Sequence, residues 1–149
     1  MQLILGLSKN NFIAKSENDD MTWLKGDKNI FRLLSSAGQG INFISKKSSK
    51  FMPESLKGRE LMIISRSGNH YWTLEEANKY FKTANLLGGQ TLALEAINKN
   101  YITDIFLTYA PIELKTGIKF NLDKIIEEKF NLAQTITIDG VVVYHWKKK

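Results

Sequence analysis

Asp27 opens an apolar run in which Asp27, Ile30, Phe31 and Leu34 fall at i, i+3, i+4 and i+7. On a helix this spacing sets one carboxylate on the apolar face. Two uses of the acid follow. Asp is a favoured helix N-cap, although Ile30 stands where a capping box would carry Glu or Gln. Alternatively, the carboxylate lies at the floor of a pocket beside Phe31. Burial there would raise its pKa and suit it to proton donation or to holding a protonated heterocycle. Spacing alone leaves the two uses open.

Three turns carry anion chemistry. Gly88-Gly89 closes an apolar strand and precedes a helical run. Glycines there let a backbone approach a diphosphate, and a helix N-terminus favours an anion. The pair is not a G-x-G-x-x-G fingerprint, and a tight strand-to-helix turn is the plainer account of it. Ser45-Lys46-Lys47-Ser48-Ser49 follows a strand over 41–45, and Ser65-Arg66 follows one over 60–64. Hydroxyls and cations at such turns can hold phosphate, though each alone also reads as a solvated loop. All three follow the C-terminal ends of strands, where open α/β sheets bind ligands. Together they suit a nucleotide with several phosphates. Arg59, after Gly58, is either a surface charge at a strand start or a fork for a ligand carboxylate.

The elements that must position these groups alternate. Strands are expected over 3–7, 41–45, 60–65, 84–89 and 102–109. Helices are expected over 27–38, 73–82 and 90–100, with a short helix or turn over 122–130. Thr73 and Glu76 form a capping box. Asp139-Gly140 joins two β-rich runs as a hairpin. The sum is one α/β domain over residues 1–149, a mostly parallel central sheet with helices on both faces and an antiparallel C-terminal hairpin.

Composition removes other classes. The chain has no cysteine, so it has no disulfide or thiol nucleophile, and its two histidines make a His-rich metal site improbable; no metal is expected. The N-terminal run reads as a strand rather than a signal peptide, no apolar run is long enough to span a bilayer, and a cytoplasmic location is expected. The net charge of +6 is partly a Lys-rich tail, and aromatics are not interleaved with the basic cluster at 45–50, so nucleic acid is not the expected partner. With no evident exposed apolar stripe, a monomer without an obligatory protein partner is expected.

These residues, in this order, resemble dihydrofolate reductase over nearly the whole chain, most clearly over 1–68 and 84–109. "LILGLSKNNFIA" and the following "KSENDDMTW" look like the family's first strand and mobile loop. The resemblance implies that Ile4, Leu5 and Gly6 flank pterin and nicotinamide, and that Ile13 and Ala14 meet nicotinamide. It implies that Met21 and Trp23 close the loop in a catalytic role. Asp27 becomes the catalytic acid on the pterin, with Phe31 beside it. Met52 and Leu56 would enclose the aminobenzoyl group, and Arg59 would hold the folate α-carboxylate. Ser45, Lys46, Lys47 and Ser48 stand for the phosphate-binding Gly-Arg-x-Thr. Ile64, Ser65 and Arg66 would approach the adenosine 2′-phosphate. Leu87-Gly88-Gly89, with its cis Gly-Gly bond, and Gln90, Thr91 and Leu92 would line the cofactor. Thr108 would reach the pterin through the acid and a water.

The implied activity is NADPH-dependent reduction of 7,8-dihydrofolate to tetrahydrofolate, with methotrexate or trimethoprim as inhibitors. One alternative is a reductase of another pterin or of a riboflavin-pathway pyrimidine on the same fold. Another is a non-catalytic nucleotide or nucleic-acid binding module. There are departures from the pattern. Lys46 replaces an Arg, Ala93 stands where an aromatic is expected, and one residue is missing between Trp23 and Asp27.

Overall fold

The computed structural model describes residues 1–16, 19, 28–50, 58–66 and 71–149. Among these residues nine strands form: β1 (Gln2–Ser8), β2 (Phe12–Ala14), β3 (Ile41–Ser45), β4 (Glu60–Ile64), β5 (Asn85–Leu86), β6 (Asp104–Ala110), β7 (Ile118–Lys119), β8 (Phe130–Ile138) and β9 (Val141–Lys148). The α-helices are α1 (Lys28–Ser35), α2 (Lys46–Ser49), α3 (Leu74–Tyr80), α4 (Gln90–Asn98) and α5 (Asp123–Lys129). Seven strands make one sheet in the order β4-β3-β5-β1-β6-β9-β8. The pairings from β4 through to β6 are parallel, and those of β9 with β6 and β8 are antiparallel.

Side chains alternate across the sheet, as strand geometry requires. Leu3, Leu5 and Leu7 of β1, Phe43 of β3, and Ile105 and Leu107 of β6 fall on one face. There they meet Leu74 and Ala77 of α3, Ala93, Ala96 and Ile97 of α4, and Ile126 of α5. Phe43 is fully buried, with its ring edge-on to Trp72 and tilted against Phe81. On the other face, Ile30 and Leu34 of α1 pack on Val141, Val143 and Phe106. Helices therefore cover both faces, and among the described residues α1 covers the second.

Local chemistry sets the boundaries. Thr73 and Glu76 close the expected capping box at the start of α3. α1 stops at Ser35, short of the expected residue 38. The Ser35 hydroxyl donates to Phe31 O at 2.6 Å, and the Ser36 hydroxyl to Arg32 O at 2.6 Å. Such back-bonding serines compete with the helix ladder. Gly38 follows at φ +59°, and a Cβ on it would lie 2.0 Å from Thr83 O, so only glycine fits between α1 and β5. Asp139 and Gly140 both have positive φ, the geometry of a tight hairpin turn.

The expected strand over 84–89 is only Asn85–Leu86, because pairing ends where Gly88 turns at φ +103°. The pairing of β2 with β7 has no counterpart in the sequence reading, since segments of two and three residues carry no usable periodicity.

Candidate functional site

The three anion-friendly turns come together because β4, β3 and β5 are parallel neighbours. Their C-terminal ends therefore share one edge of the sheet. Ser45 N donates to Gly88 O at 3.0 Å, and the Ser45 hydroxyl accepts from Gly89 N at 3.4 Å and from Ser48 N at 3.3 Å. The Gly88-Gly89 peptide bond is cis. A Cβ on Gly89 would meet Ser48 Oγ at 3.5 Å, so the two turns touch.

Gly89 starts α4 with no side-chain cap, and the first turn holds no acid. The N–H groups of that turn are thus offered to an acceptor. Gln90 uses its side chain elsewhere, donating to Lys119 O at 3.2 Å and accepting from Asn121 N at 3.2 Å. Thr91 is exposed, and Leu92 packs partly into the core. Lys46 Nζ sits 5.0 Å over the Tyr71 ring, Lys47 is exposed, and Arg66 pairs with Glu95 at 3.6 Å while staying mostly exposed. Ile64 is buried in the core, so only its backbone can face this edge. Two lysines, an arginine, serine hydroxyls and an uncapped helix start fit a polyphosphate such as that of NADPH.

A further cationic group lies at the other end of β4. Arg59 Nη1 donates to the Ser35 hydroxyl at 2.5 Å, and its guanidinium carbon lies 5.8 Å from the centre of the Phe31 ring. Ser35 is fully buried and sits at the end of α1. The helix thereby presents Phe31 and the partner of Arg59 to the same place. Arg59 and Arg66 bracket the five residues of β4, which puts them about 20 Å apart at strand rise. One small ligand cannot reach both.

Two buried asparagines hold this end together. Asn42 Nδ2 donates to Ser35 O at 2.9 Å, with Gly40 O and Glu60 O also within 3.2 Å. Asn85 Nδ2 donates to Ala37 O and to Asn42 Oδ1, each at 3.1 Å. These amides satisfy carbonyls that the end of α1 leaves without intrahelical donors. The sequence reading passed over Ser35, Asn42 and Asn85. Asn in two apolar strands was the available signal, since Asn is depleted in strands and costly to bury unpaired.

The remaining sequence candidates divide. Ile4 lies on the α1 face by alternation, and Thr108, buried and paired with Gly6, donates to Leu5 O at 3.4 Å. Leu5 turns its side chain into the opposite core, against Gly88. Leu87 is half-buried and bonds Phe43 O. Ile13 and Ala14 are half-buried in β2. Met21, Trp23, Asp27, Met52 and Leu56 lie outside the described residues.

A hollow of about 480 Å³ on the α5 face of the sheet contains no residue singled out from the sequence. Tyr109 lines it, meeting Tyr144 edge-on. Burial, and then the Asp123 carboxylate and Tyr144, push its phenol up to about 12. The fold favours the neutral phenol. Its contribution to stability is therefore whole below pH 10 and is lost as pH rises from 10 to about 12. Tyr109→Phe should extend the alkaline limit of folding upward in a circular-dichroism pH titration.

The sheet order, the mixed strand directions and the helices on both faces define a dihydrofolate-reductase-like fold. No sequence-family profile and no curated protein sequence matches the chain. Among solved structures, it is similar to a protein of Shewanella sp. PV-4 assigned provisionally to riboflavin biosynthesis. The TM-score is 0.69 at 14% identity, over 99% of this chain and 98% of that one. Among the described residues, no helix is long and apolar enough to cross a membrane.

Proposed function

We propose that the chain is an NADPH-dependent reductase of dihydrofolate. The observation that carries this reading is the separation of two anion-binding ends on one sheet, with Arg59 held by Ser35 beside Phe31 at the end remote from the phosphate turns. A pterin with an acidic tail and a dinucleotide would together span that distance. Bound NADPH would supply the hydride. The chain's own residues would bind, orient and exclude water. Lys46, Lys47, Ser45, Ser65 and Arg66, with the start of α4, would hold the phosphates. Arg59 would anchor the tail carboxylate, and Phe31 would pack on the aminobenzoyl group. The resemblance gives Asp27 the pterin amino and N3 groups, and gives Met21 and Trp23 the closing loop.

A second reading is a riboflavin-pathway reductase. The likeness to the Shewanella protein, taken by itself, fits this reading better than the first. A phosphorylated pyrimidine, however, has no carboxylate tail for Arg59. NADPH oxidation with dihydrofolate, run with and without methotrexate, tests the proposal. Methotrexate-sensitive turnover is expected, and Asp27→Asn should lower it by at least ~10²-fold near neutral pH while NADPH still binds. Turnover only with a ribosylamino-pyrimidine would establish the second reading. No oxidation with either substrate, alongside salt-sensitive nucleic-acid binding, would make the chain a binding module.

A further inference from the structure

β8 is the last strand of the sheet, and among the described residues nothing pairs with its outer side. Its sequence, FNLAQTITI, contains no charge and no proline. Every residue after Phe130 is exposed, and Leu132, Ile136 and Ile138 are 48%, 40% and 41% exposed. This is the apolar stripe that the sequence reading did not find. A monomer was the expectation because periodicity marks which residues share a face, not which strand lies at the edge.

An edge strand displays unpaired N–H and C=O groups, and soluble proteins ordinarily blunt it with lysines, proline, shortness or a bulge. β8 is nine residues long and has only a bulge, between Leu132 and Gln134. Beyond the bulge, Gln134 to Ile138 run in unbroken register against His145 to Val141. That leaves a regular five-residue edge with isoleucines on one face and threonines on the other.

We propose that β8 pairs antiparallel with β8 of a second copy, making a two-fold dimer whose sheet continues through both chains. The charges around the strand select this occupant and this direction. One end is basic on balance: Lys129, Lys147, Lys148 and Lys149 gather where β8 starts, with Lys148 opposite Phe130 and Lys147 opposite Asn131, and they outnumber Glu127 and Glu128 of α5. The other end is acidic: Asp139 follows β8, and its turn packs on Pro111, two residues before Glu113. Antiparallel pairing carries the basic end of each copy toward the acidic end of the other, and the two-fold axis does so at both ends. Parallel pairing would set like charges together. With the axis at Ile136, Ile136 faces its own equivalent and Thr135 meets Thr137, pairs that stabilise sheets. The strand itself carries no charge to repel its copy.

The test is independent of the reductase reading. By light scattering, the full chain should show twice its 17.0 kDa mass, and its melting temperature should rise with concentration. Ile136→Lys, at an exposed position, should halve the mass and remove that concentration dependence while the protein stays folded. A second measurement uses the absence of cysteine from the chain. Single cysteines introduced as Gln134→Cys, Thr135→Cys or Ile136→Cys should give an oxidised dimer at one position or more. Ser36→Cys, exposed at the end of α1, should give none. A wild-type protein that stays monomeric at all concentrations overturns the proposal. So does a dimer untouched by Ile136→Lys, or cross-linking no greater at β8 than at Ser36.

Discussion

Arg59→Leu is expected to raise the KM for dihydrofolate about a hundredfold. The guanidinium is the cation held at the end of α1, donating to Ser35 at 2.5 Å beside Phe31. Truncating one partner of a desolvated charge pair costs about 2–5 kcal/mol, and about 1.4 kcal/mol is tenfold. NADPH affinity should not change, because the phosphate turns lie at the far end of β4. A pterin without a glutamate tail should be reduced equally by wild type and variant. Steady-state kinetics with both substrates, and a fluorescence titration with NADPH, check each part. An unchanged KM for dihydrofolate would remove the folate assignment and leave the riboflavin-pathway reading ahead.

The second large effect lies beneath that site. Asn42→Leu should lower the melting temperature by about 5 °C. The substitution removes the nearest donor to Ser35 O and one acceptor of Asn85 Nδ2, leaving Asn85 to hold that end through Ala37 O at 3.1 Å and Ser35 O at 3.4 Å, while the donors to Gly40 O and Glu60 O are lost. An orphaned buried polar group costs about 1–3 kcal/mol, and about 1 kcal/mol moves a chain of this size by ~2–4 °C. Because Ser35 holds Arg59, the surviving folded protein should also bind dihydrofolate more weakly. A calorimetric scan and the same KM measurement test the two halves separately. A normal melting temperature would mean that water or a relaxed helix end serves those carbonyls.

Much of the scaffold was legible because its signals are local. The apolar runs of β1, β3, β4 and β6, the Thr73/Glu76 box before α3 and the Asp139-Gly140 turn each work through neighbours in the chain. The mostly parallel α/β sheet with its C-terminal hairpin followed from their order, the dihydrofolate-reductase-like fold from the family resemblance, and the sheet has the directions expected. The turns at the strand ends were also legible one by one, since serines, lysines and glycine pairs carry their chemistry in their types.

Other features needed distant segments. Nothing near Ser35 marks it as the holder of Arg59, which lies 24 residues later. Asn42 and Asn85 are 43 residues apart and become a pair only when β3 and β5 lie side by side. The edge position of β8 depends on where β9 inserts, which no local pattern records.

By itself, the sequence determined the element types, the turn geometry and the stock of cations, glycines and hydroxyls that could meet a phosphorylated cofactor. These rest on propensity, periodicity and side-chain chemistry, which act within a few residues. The tertiary structure alone decided that β4, β3 and β5 lie side by side so that the turns after β3 and β5 touch, that Ser35 holds Arg59, and that the outer side of β8 is left without a partner among the described residues. Those outcomes depend on strand order, which the joint burial of both sheet faces sets for the chain as a whole.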